Sequence, residues 1–550
     1  MKKIASLLLW IFIVLSFPTI GQTFIESDTF GNCETFENGL PASWQATDGG
    51  SLEISNKRYK QGTHALMWNW SNNSKITVTD PQLGQASINK NSGLKQWLYN
   101  ETAIDDSIRF VFYDASNRVR CAFYYKLNFT GWRGLWVRFW DDIAVSGKQK
   151  LLTRMEVCAP QTVTSGQVYF DIVEFASSVS YKRSPSYQYV HPYPYNADEE
   201  VKDEWAGWIY KNRYPQATLP LPSEVSSDQQ EVLSTITTRF EEWLLGTETY
   251  AANAHYQARL QARDAYISYG VQLFNQLDVA KDENGIITGP PLFTNKSSHR
   301  PNFGRDIGEK LCLQLALDYR VNNNASSKEK LLLLFDYMHD QGWAEGSAME
   351  TLDHQKLRTA AWVYSVYLLK DDLKLIPWKN GQSLLDREMA TLHWLSYFNI
   401  LFAPLKDTLE VSVDDFRSNT IFRLIYILMM DNTDPAKVQY MNHYTQWLNR
   451  NLRTFEGWTG GLKPDGMGYH HRGPYMNAYS NNGVHCMTQV LYFLRHTPYD
   501  ANAEAKENIK KYLLNYRLIS QYYDVPKGVS GRISGLDKAT SMISPMAYMA

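Results

Sequence analysis

A β-sandwich followed by a helical domain is the fold class this sequence predicts, and three observations predict it. Over the first third, short apolar runs separated by turn residues alternate with a period of two. From about Asp228 the apolar period lengthens to about 3.6. Between the two lies a Pro- and Tyr-rich stretch, Ser184–Ser227, with the runs His191-Pro-Tyr-Pro-Tyr195 and Leu219-Pro-Leu-Pro222. Such composition suits an extended connector better than a strand or a helix.

In chain order, Met1-Lys-Lys3 ahead of the apolar run Ile4–Phe17 reads as a secretory signal peptide. Thr19 and Gly21 are small residues at the −3 and −1 positions, so cleavage is expected after Gly21 and export to the periplasm or beyond follows. The apolar run is short for a membrane span and no later stretch qualifies, so no membrane association is expected after cleavage.

Residues 22–183 form the predicted sandwich, with strands at Leu52–Ile54, Ala65–Trp70, Ile108–Phe112, Leu135–Trp140 and Val168–Val173. Trp68 and Trp70, and Trp136 and Trp140, recur at even spacing, which puts each pair on one sheet face. Rings on a face either stack on sugars or fill the core, and burial is the commoner fate of large aromatics. The connector occupies 184–227 and the helical domain 228–550. Its expected helices are Gln229–Leu245, Tyr256–Leu277, Arg305–Val321, Ser327–Gln341 and Lys356–Leu369, then Leu384–Ser396, Asn419–Met430, Pro435–Asn451, Gly483–Arg495 and Ala503–Tyr522. No fixed repeat links them, so consecutive hairpins are predicted rather than a regular solenoid.

Composition narrows the function. At 550 residues, with 44% hydrophobic and 20% charged, the chain is an ordinary folded protein with room for two or three domains. A net charge of −2 gives no basic footprint for nucleic acid. A polyanionic partner would need a local basic cleft instead. The five Cys are scattered without metal-ligand spacing; one bond among Cys33, Cys121 and Cys158 is open, and Cys312 and Cys486 fall in apolar helical patterns.

The densest chemistry lies in Gly460–Asn482, a Gly- and Pro-rich run between two helical patterns. It holds His470, His471, Arg472, Tyr475 and Tyr479, in a chain with only 12 His. Spacing alone leaves two readings open: a surface turn, or a catalytic loop held between helices.

The run Asp465-Gly466, His471, Tyr479 and then Arg532 in Gly-Val-Ser-Gly-Arg-Ile resembles the active-site run of family 8 polysaccharide lyases, in particular their chondroitin sulfate ABC lyase subgroup. Asp340-Gln-Gly-Trp-Ala-Glu-Gly-Ser-Ala348 with His354, Asn419-Thr420 and Leu494-Arg-His-Thr-Pro498 support the resemblance, as do Phe36–Trp44 and Ser51–Tyr59 near the N-terminus. It implies a jelly-roll sandwich of carbohydrate-binding type and an α/α toroid, here incomplete. Members of the family continue past the equivalent of Ala550 into more helices and β-domains that carry an active-site Glu. The resemblance therefore raises the expectation of a fragment or truncated product.

The implied reaction is β-elimination at a uronate in chondroitin, dermatan or, more weakly, hyaluronan. Removing the C5 proton needs a neutralised carboxylate, a base near C5 and an acid at the leaving oxygen. By resemblance, Tyr479 is the general acid and, for glucuronate, the base. His471 is the base for iduronate or polarises the carboxylate, and Arg532 contacts the Tyr oxygen and the sugar. Asn419 matches the carboxylate-neutralising Asn and His354 a carboxylate-binding His; a plain helix cap is the alternative at Asn419, and a residue hydrogen-bonded at a helix start at His354. His470, Arg472 and Tyr475 are expected to touch substrate. The eight-residue step from His471 to Tyr479 is one longer than the ABC-type pattern, which leaves His470 and Tyr475 as rivals. The chemistry requires no metal or organic cofactor, and whether a divalent cation binds stays open. The expected partner is a glycosaminoglycan met by a monomer. A non-catalytic polysaccharide-binding protein is the competing class; hydrolysis by Asp414-Asp415 is disfavoured because neighbouring side chains point apart.

Overall fold

The structure, a computed structural model, describes residues 33–86, 92–139, 151–179, 188–190, 216–247, 254–275, 277–289, 293–295, 301–303, 307–347, 359–403, 413–417, 419–458, 460–477, 479–521, 524–531 and 542–550. Residues 1–21 and Trp140 lie outside that set.

The N-terminal strands are β1 (Trp44–Thr47), β2 (Ser51–Ser55), β3 (Ala65–Ser71), β4 (Lys75–Val78), β5 (Gly93–Asn100) and β6 (Ser107–Asp114). They continue as β7 (Val119–Lys126), β8 (Gly131–Arg138), β9 (Leu152–Cys158), β10 (Ser165–Ala176) and β11 (Tyr189–Val190). All pairings are antiparallel and make two sheets, ordered β1-β4-β9-β6-β7-β11 and β2-β3-β10-β5-β8. Alternating apolar residues of both sheets fill one sandwich core, among them Trp68, Trp70, Leu98, Phe110 and Val137.

The second sheet departs from the half-buried pattern. β5 and β8 are buried at every position. Leu94, Leu98, Leu135 and Val137 face the sandwich core, whereas Trp97, Tyr99, Trp132 and Trp136 join the core of the helical domain. Trp97 meets Trp136 edge-on at 5.4 Å and Tyr99 meets Trp132 at 5.2 Å. These rings are therefore domain cement and not a sugar-stacking platform.

Ten helices of nine residues or more follow among the described residues: α1 (Ser227–Leu245), α2 (Ala254–Phe274), α3 (Cys312–Asn322), α4 (Ala325–Asp340) and α5 (Ala360–Leu368), then α6 (Leu384–Leu395), α7 (Asn419–Met429), α8 (Pro435–Asn451), α9 (Tyr479–Leu494) and α10 (Ala503–Ile519). Local chemistry starts several of them. Ser226 with Gln229, and Ser383 with Asp386, form reciprocal capping boxes, and Asp434 caps α8 with Pro435 in its first turn. α1 closes back on the late helix α9: Phe240 lies 5.5 Å from Phe493, and Arg239 Nη1 donates to the carbonyls of Phe493 and Arg495.

Two expectations need correction. α9 begins at Tyr479 and not at Gly483, because the polar residues that read as loop find tertiary partners. Ser480 Oγ donates to Tyr475 O at 2.6 Å, and Asn481 Nδ2 donates to Tyr516 Oη on α10 at 3.3 Å. All five Cys are free thiols, so the open N-terminal disulfide is absent. Burial pushes the Cys121 thiol up to about 12. Among the described residues no helix is long and apolar enough to cross a membrane.

Candidate active site

The site is built on a short hairpin leading into α9. Asp465-Gly466 makes the turn before it: Asp465 Oδ1 accepts from Met467 N at 2.9 Å, and Gly466 takes φ +79 where a side chain would collide with Asn515 of α10. Lys511 and Asn515 then bind the carbonyls of Pro464 and Asp465, fixing that turn against α10.

Tyr469–His470 next pairs antiparallel with Gly473–Pro474, leaving His471 and Arg472 as the two loop residues. A two-residue hairpin loop of this hand needs positive φ at both positions, which Asn and Gly supply most easily. Here His471 and Arg472 adopt φ 51 and 64 without either. Non-glycine residues held there cost about 1–3 kcal/mol each and cluster at functional sites. Both side chains are exposed at the tip.

Four rings meet beside that tip. His470 lies nearly parallel to Tyr479, with centroids 4.4 Å apart, while His471 stands edge-on to the same ring at 6.1 Å. The two imidazoles are 3.8 Å apart. Tyr475 packs edge-on to Tyr479 at 5.1 Å and to His470 at 5.5 Å. Val413, from the short helix Val413–Phe416, completes an apolar cluster with the two phenols.

Directly after that helix, the Arg417 guanidinium lies 4.8 Å from the Tyr479 ring centroid. Arg417 is itself buried, and Cys486 Sγ of α9 donates to its carbonyl at 3.0 Å. Reading the sequence missed this cation. Its one available signal was its place two residues before Asn419.

Asn419 opens α7 and is wholly buried. Its neighbour Thr420 is tied to two helices: Tyr444 Oη of α8 donates to the Thr420 carbonyl at 2.7 Å, and Thr420 Oγ1 approaches Met487 Sδ of α9. The segment before Arg532 also reaches the site. Met476 N donates to Val529 O at 2.8 Å, and Gly531, at φ +64, lies so close to the Tyr475 ring that a β-carbon would collide with it. Arg532 and His354 lie outside the described residues. The structure thus gathers His470, His471, Arg472, Tyr475 and Tyr479 on one hairpin and helix start.

Two family models match this chain in succession: the N-terminal lyase domain over residues 32–191 and the catalytic lyase domain over residues 219–550. The chain belongs to the family 8 polysaccharide lyases. Among family 8 relatives, the chondroitin sulfate ABC exolyase of Bacteroides thetaiotaomicron is 25% identical, over 88% of this chain and 47% of its own length. The chondroitin sulfate ABC exolyase of Proteus vulgaris is also 25% identical, over 96% of this chain and 53% of its own. The endolyase of the same organism is 23% identical over 87% and 49%. The chain thus spans about half the length of the curated relatives it matches. Among solved structures, a Paenibacillus xanthan lyase aligns over 58% of this chain and 29% of its own, at 14% identity and a TM-score of 0.43.

Proposed function

We propose that this protein cleaves uronate-containing glycosaminoglycans, chondroitin and dermatan sulfates above all, by β-elimination to unsaturated oligosaccharides. The observation that carries the proposal is the environment of Tyr479: a buried phenol ring with the His470 imidazole stacked on it and the Arg417 guanidinium over it, beside the strained and exposed His471.

In this reading Tyr479 delivers a proton to the leaving oxygen and, for glucuronate, takes the C5 proton. A phenol in that role gives up and regains its proton in each cycle, and the Arg417 guanidinium is the cation seated over its ring. His471 reaches the sugar from the hairpin tip, either as the base for iduronate or against the carboxylate, while His470 holds the Tyr479 ring in place. Asn419, His354 and Arg532 are assigned to the carboxylate and the scissile oxygen through their match to the family pattern. Neutralising the carboxylate is the larger electrostatic task, because the charge there grows as the C5 proton leaves. Arg472 contacts the saccharide from the exposed tip, while Tyr475, expected from the sequence to touch substrate, is buried against Gly531 and Val413 and backs the Tyr479 ring instead. The protein is expected to act outside the cytoplasm, as a monomer.

The test is ultraviolet detection of unsaturated uronate on defined chondroitin and dermatan sulfates. Appearance of that chromophore, and its loss in a Tyr479→Phe variant, supports the assignment. Retention of polysaccharide with no chromophore under any condition would convert the protein to a binding module.

A further inference from the structure

A second cleft of about 330 Å³ opens where the sandwich meets the helical domain, and none of the residues of the Tyr479 site lines it. Thr130 and Arg133 of the sandwich form one wall. His339 at the end of α4, Glu345 just beyond it, and Trp378, Lys379 and Arg387 form the other.

The cations of this cleft are unequally matched. Arg387 is neutralised by Asp336 at 2.8 Å and Glu388 at 2.7 Å. Arg133 is only 3% exposed, yet no carboxylate among the described residues lies within ion-pair distance of it. Its Nη1 donates to the carbonyl of its own neighbour Trp132, its guanidinium lies over Phe129 at 4.9 Å, and its Nε has no hydrogen-bond partner among the described residues. Lys379 Nζ reaches across the seam to Thr130 Oγ1 at 3.1 Å and likewise has no carboxylate beside it among the described residues.

The acids do not cancel this pair. Asp386 on the rim is committed to the cap of α6, accepting from Ser383 N and Oγ. Glu345, exposed on the rim, and Asp340, which accepts from Tyr99 Oη, are the acids facing Arg133, and among the described residues neither lies within ion-pair distance of it. Burial above all, and then the charges of Arg387, Arg133 and Lys379, hold His339 well below the usual imidazole range, so it adds no positive or negative charge to the cleft wall. A buried guanidinium without a fixed counter-ion is costly, and an arriving anion with two oxygens answers both its charge and its open donor. Trp378, half-buried and edge-on to His339 at 5.6 Å, offers a flat apolar wall beside the cations. A volume of this size suits a small ligand or one to two sugar rings, not a protein segment.

We infer that this seam is a second saccharide site, which binds an acidic sugar with its carboxylate or sulfate on Arg133 and Lys379 and its ring against Trp378. The choice of an acidic saccharide over another organic anion rests on the proposed lyase function; the cation pair itself does not. Occupied together with the Tyr479 site, it would hold long chains on both domains.

The test uses the full chain carrying Tyr479→Phe, so that bound chains are not cleaved. Chondroitin sulfate, unsulfated chondroitin and neutral xylan hexasaccharides are titrated calorimetrically against this protein and against versions that also carry Lys379→Ala or Trp378→Ala. Both added changes lie at half-buried or exposed positions, and unaltered melting confirms that the fold is kept. Two binding events are expected with the acidic sugars, one of them weakened at least ~10-fold by either change. A loss confined to the sulfated sugar identifies sulfate as the bound group, and an equal loss with both identifies the carboxylate. With Tyr479 intact, Lys379→Ala should leave turnover of a tetrasaccharide unchanged. A single binding event unmoved by Lys379→Ala, or equal binding of the neutral sugar, would overturn the inference. If Lys379→Ala weakens binding but no acidic polysaccharide is ever eliminated, the lyase reading fails and the seam site stands.

Discussion

At the scale of residues, the Tyr479 ring is defined by what lies on it. His470 stacks at 4.4 Å and the Arg417 guanidinium lies at 4.8 Å, so an imidazole and a guanidinium share one phenol. Tyr479→Phe removes only the hydroxyl and leaves those ring contacts. Elimination should fall by the ~10²–10⁴ typical of a lost acid–base group, with substrate affinity retained. Tyr475→Phe should cost far less, because that ring is packed against Gly531 and Val413. The opposite order in the two rates would show that the longer spacing in this chain has moved the role to Tyr475. Arg417→Gln should lower kcat by roughly tenfold, the scale of a desolvated cation–π contact. Arg417→Lys keeps the charge and should recover most of that loss. Equal damage from both variants would mean that Arg417 is packing rather than electrostatics.

At the scale of elements, the hairpin tip is held in a conformation its residues do not favour. Arg472 at φ 64 is the simpler of the two to relieve, since it carries no proposed acid–base role. Arg472→Gly should raise stability by up to about 1 kcal/mol in urea denaturation, as steric strain is lost and only partly offset by chain entropy. The same change should weaken substrate binding if the side chain touches sugar. A clear loss of stability would argue that the Arg472 side chain, not the turn, holds the tip. The start of α9 illustrates how far local patterns reach. Tyr-Ser-Asn-Asn looks like loop because Ser and Asn compete with helix backbone. It is helical because Ser480 and Asn481 are answered by Tyr475, Tyr512 and Tyr516, two of which lie more than 30 residues away.

At the scale of the whole molecule, the two domains are joined through a buried polar seam. Lys60 Nζ donates to Gln341 Oε1 at 2.6 Å and lies 4.3 Å from the Trp97 ring, while Tyr99 Oη donates to Asp340 Oδ1 at 2.8 Å. Gly342 presses so near Trp132 that a β-carbon there would come within 2.6 Å of its carbonyl. Burial, opposed by Asp340 and Asp171, lowers the Lys60 ammonium to about 7. In the unfolded chain it titrates near ~10.4. Between those values the unfolded state binds the extra proton, so stability from this group rises with pH and is lost as pH falls through 7. Asp171, pushed up to about 8 by burial, works the other way over lower pH, but it is present in both proteins being compared. Wild type should therefore gain roughly 3 kcal/mol relative to Lys60→Met between about pH 7 and pH 10. A flat difference across that window would show Lys60 neutralised in some other way.

The sequence by itself determined the order of the domains and most helices of the second one, because periodicity and caps are local properties. Pro435–Asn451 was legible to the residue from its apolar period, and Asp434 and Pro435 account for where it starts. It also showed which chemistry gathers in Gly460–Asn482, since His, Arg and Tyr in a Gly-rich run need no partner to be recognised. Only the tertiary structure decided what those residues meet. Arg417 is 62 positions from Tyr479 and sits in no motif, so its place over the ring depends on Val413–Phe416 wedging beside α9. The fate of the tryptophans was decided the same way. Alternation puts Trp132 and Trp136 on one face of β8, but whether that face meets sugar, water or a helical domain is a matter of docking. Burial against α4 and its neighbours settled it, because an exposed aromatic face of that size gains more from apolar contact than from solvent.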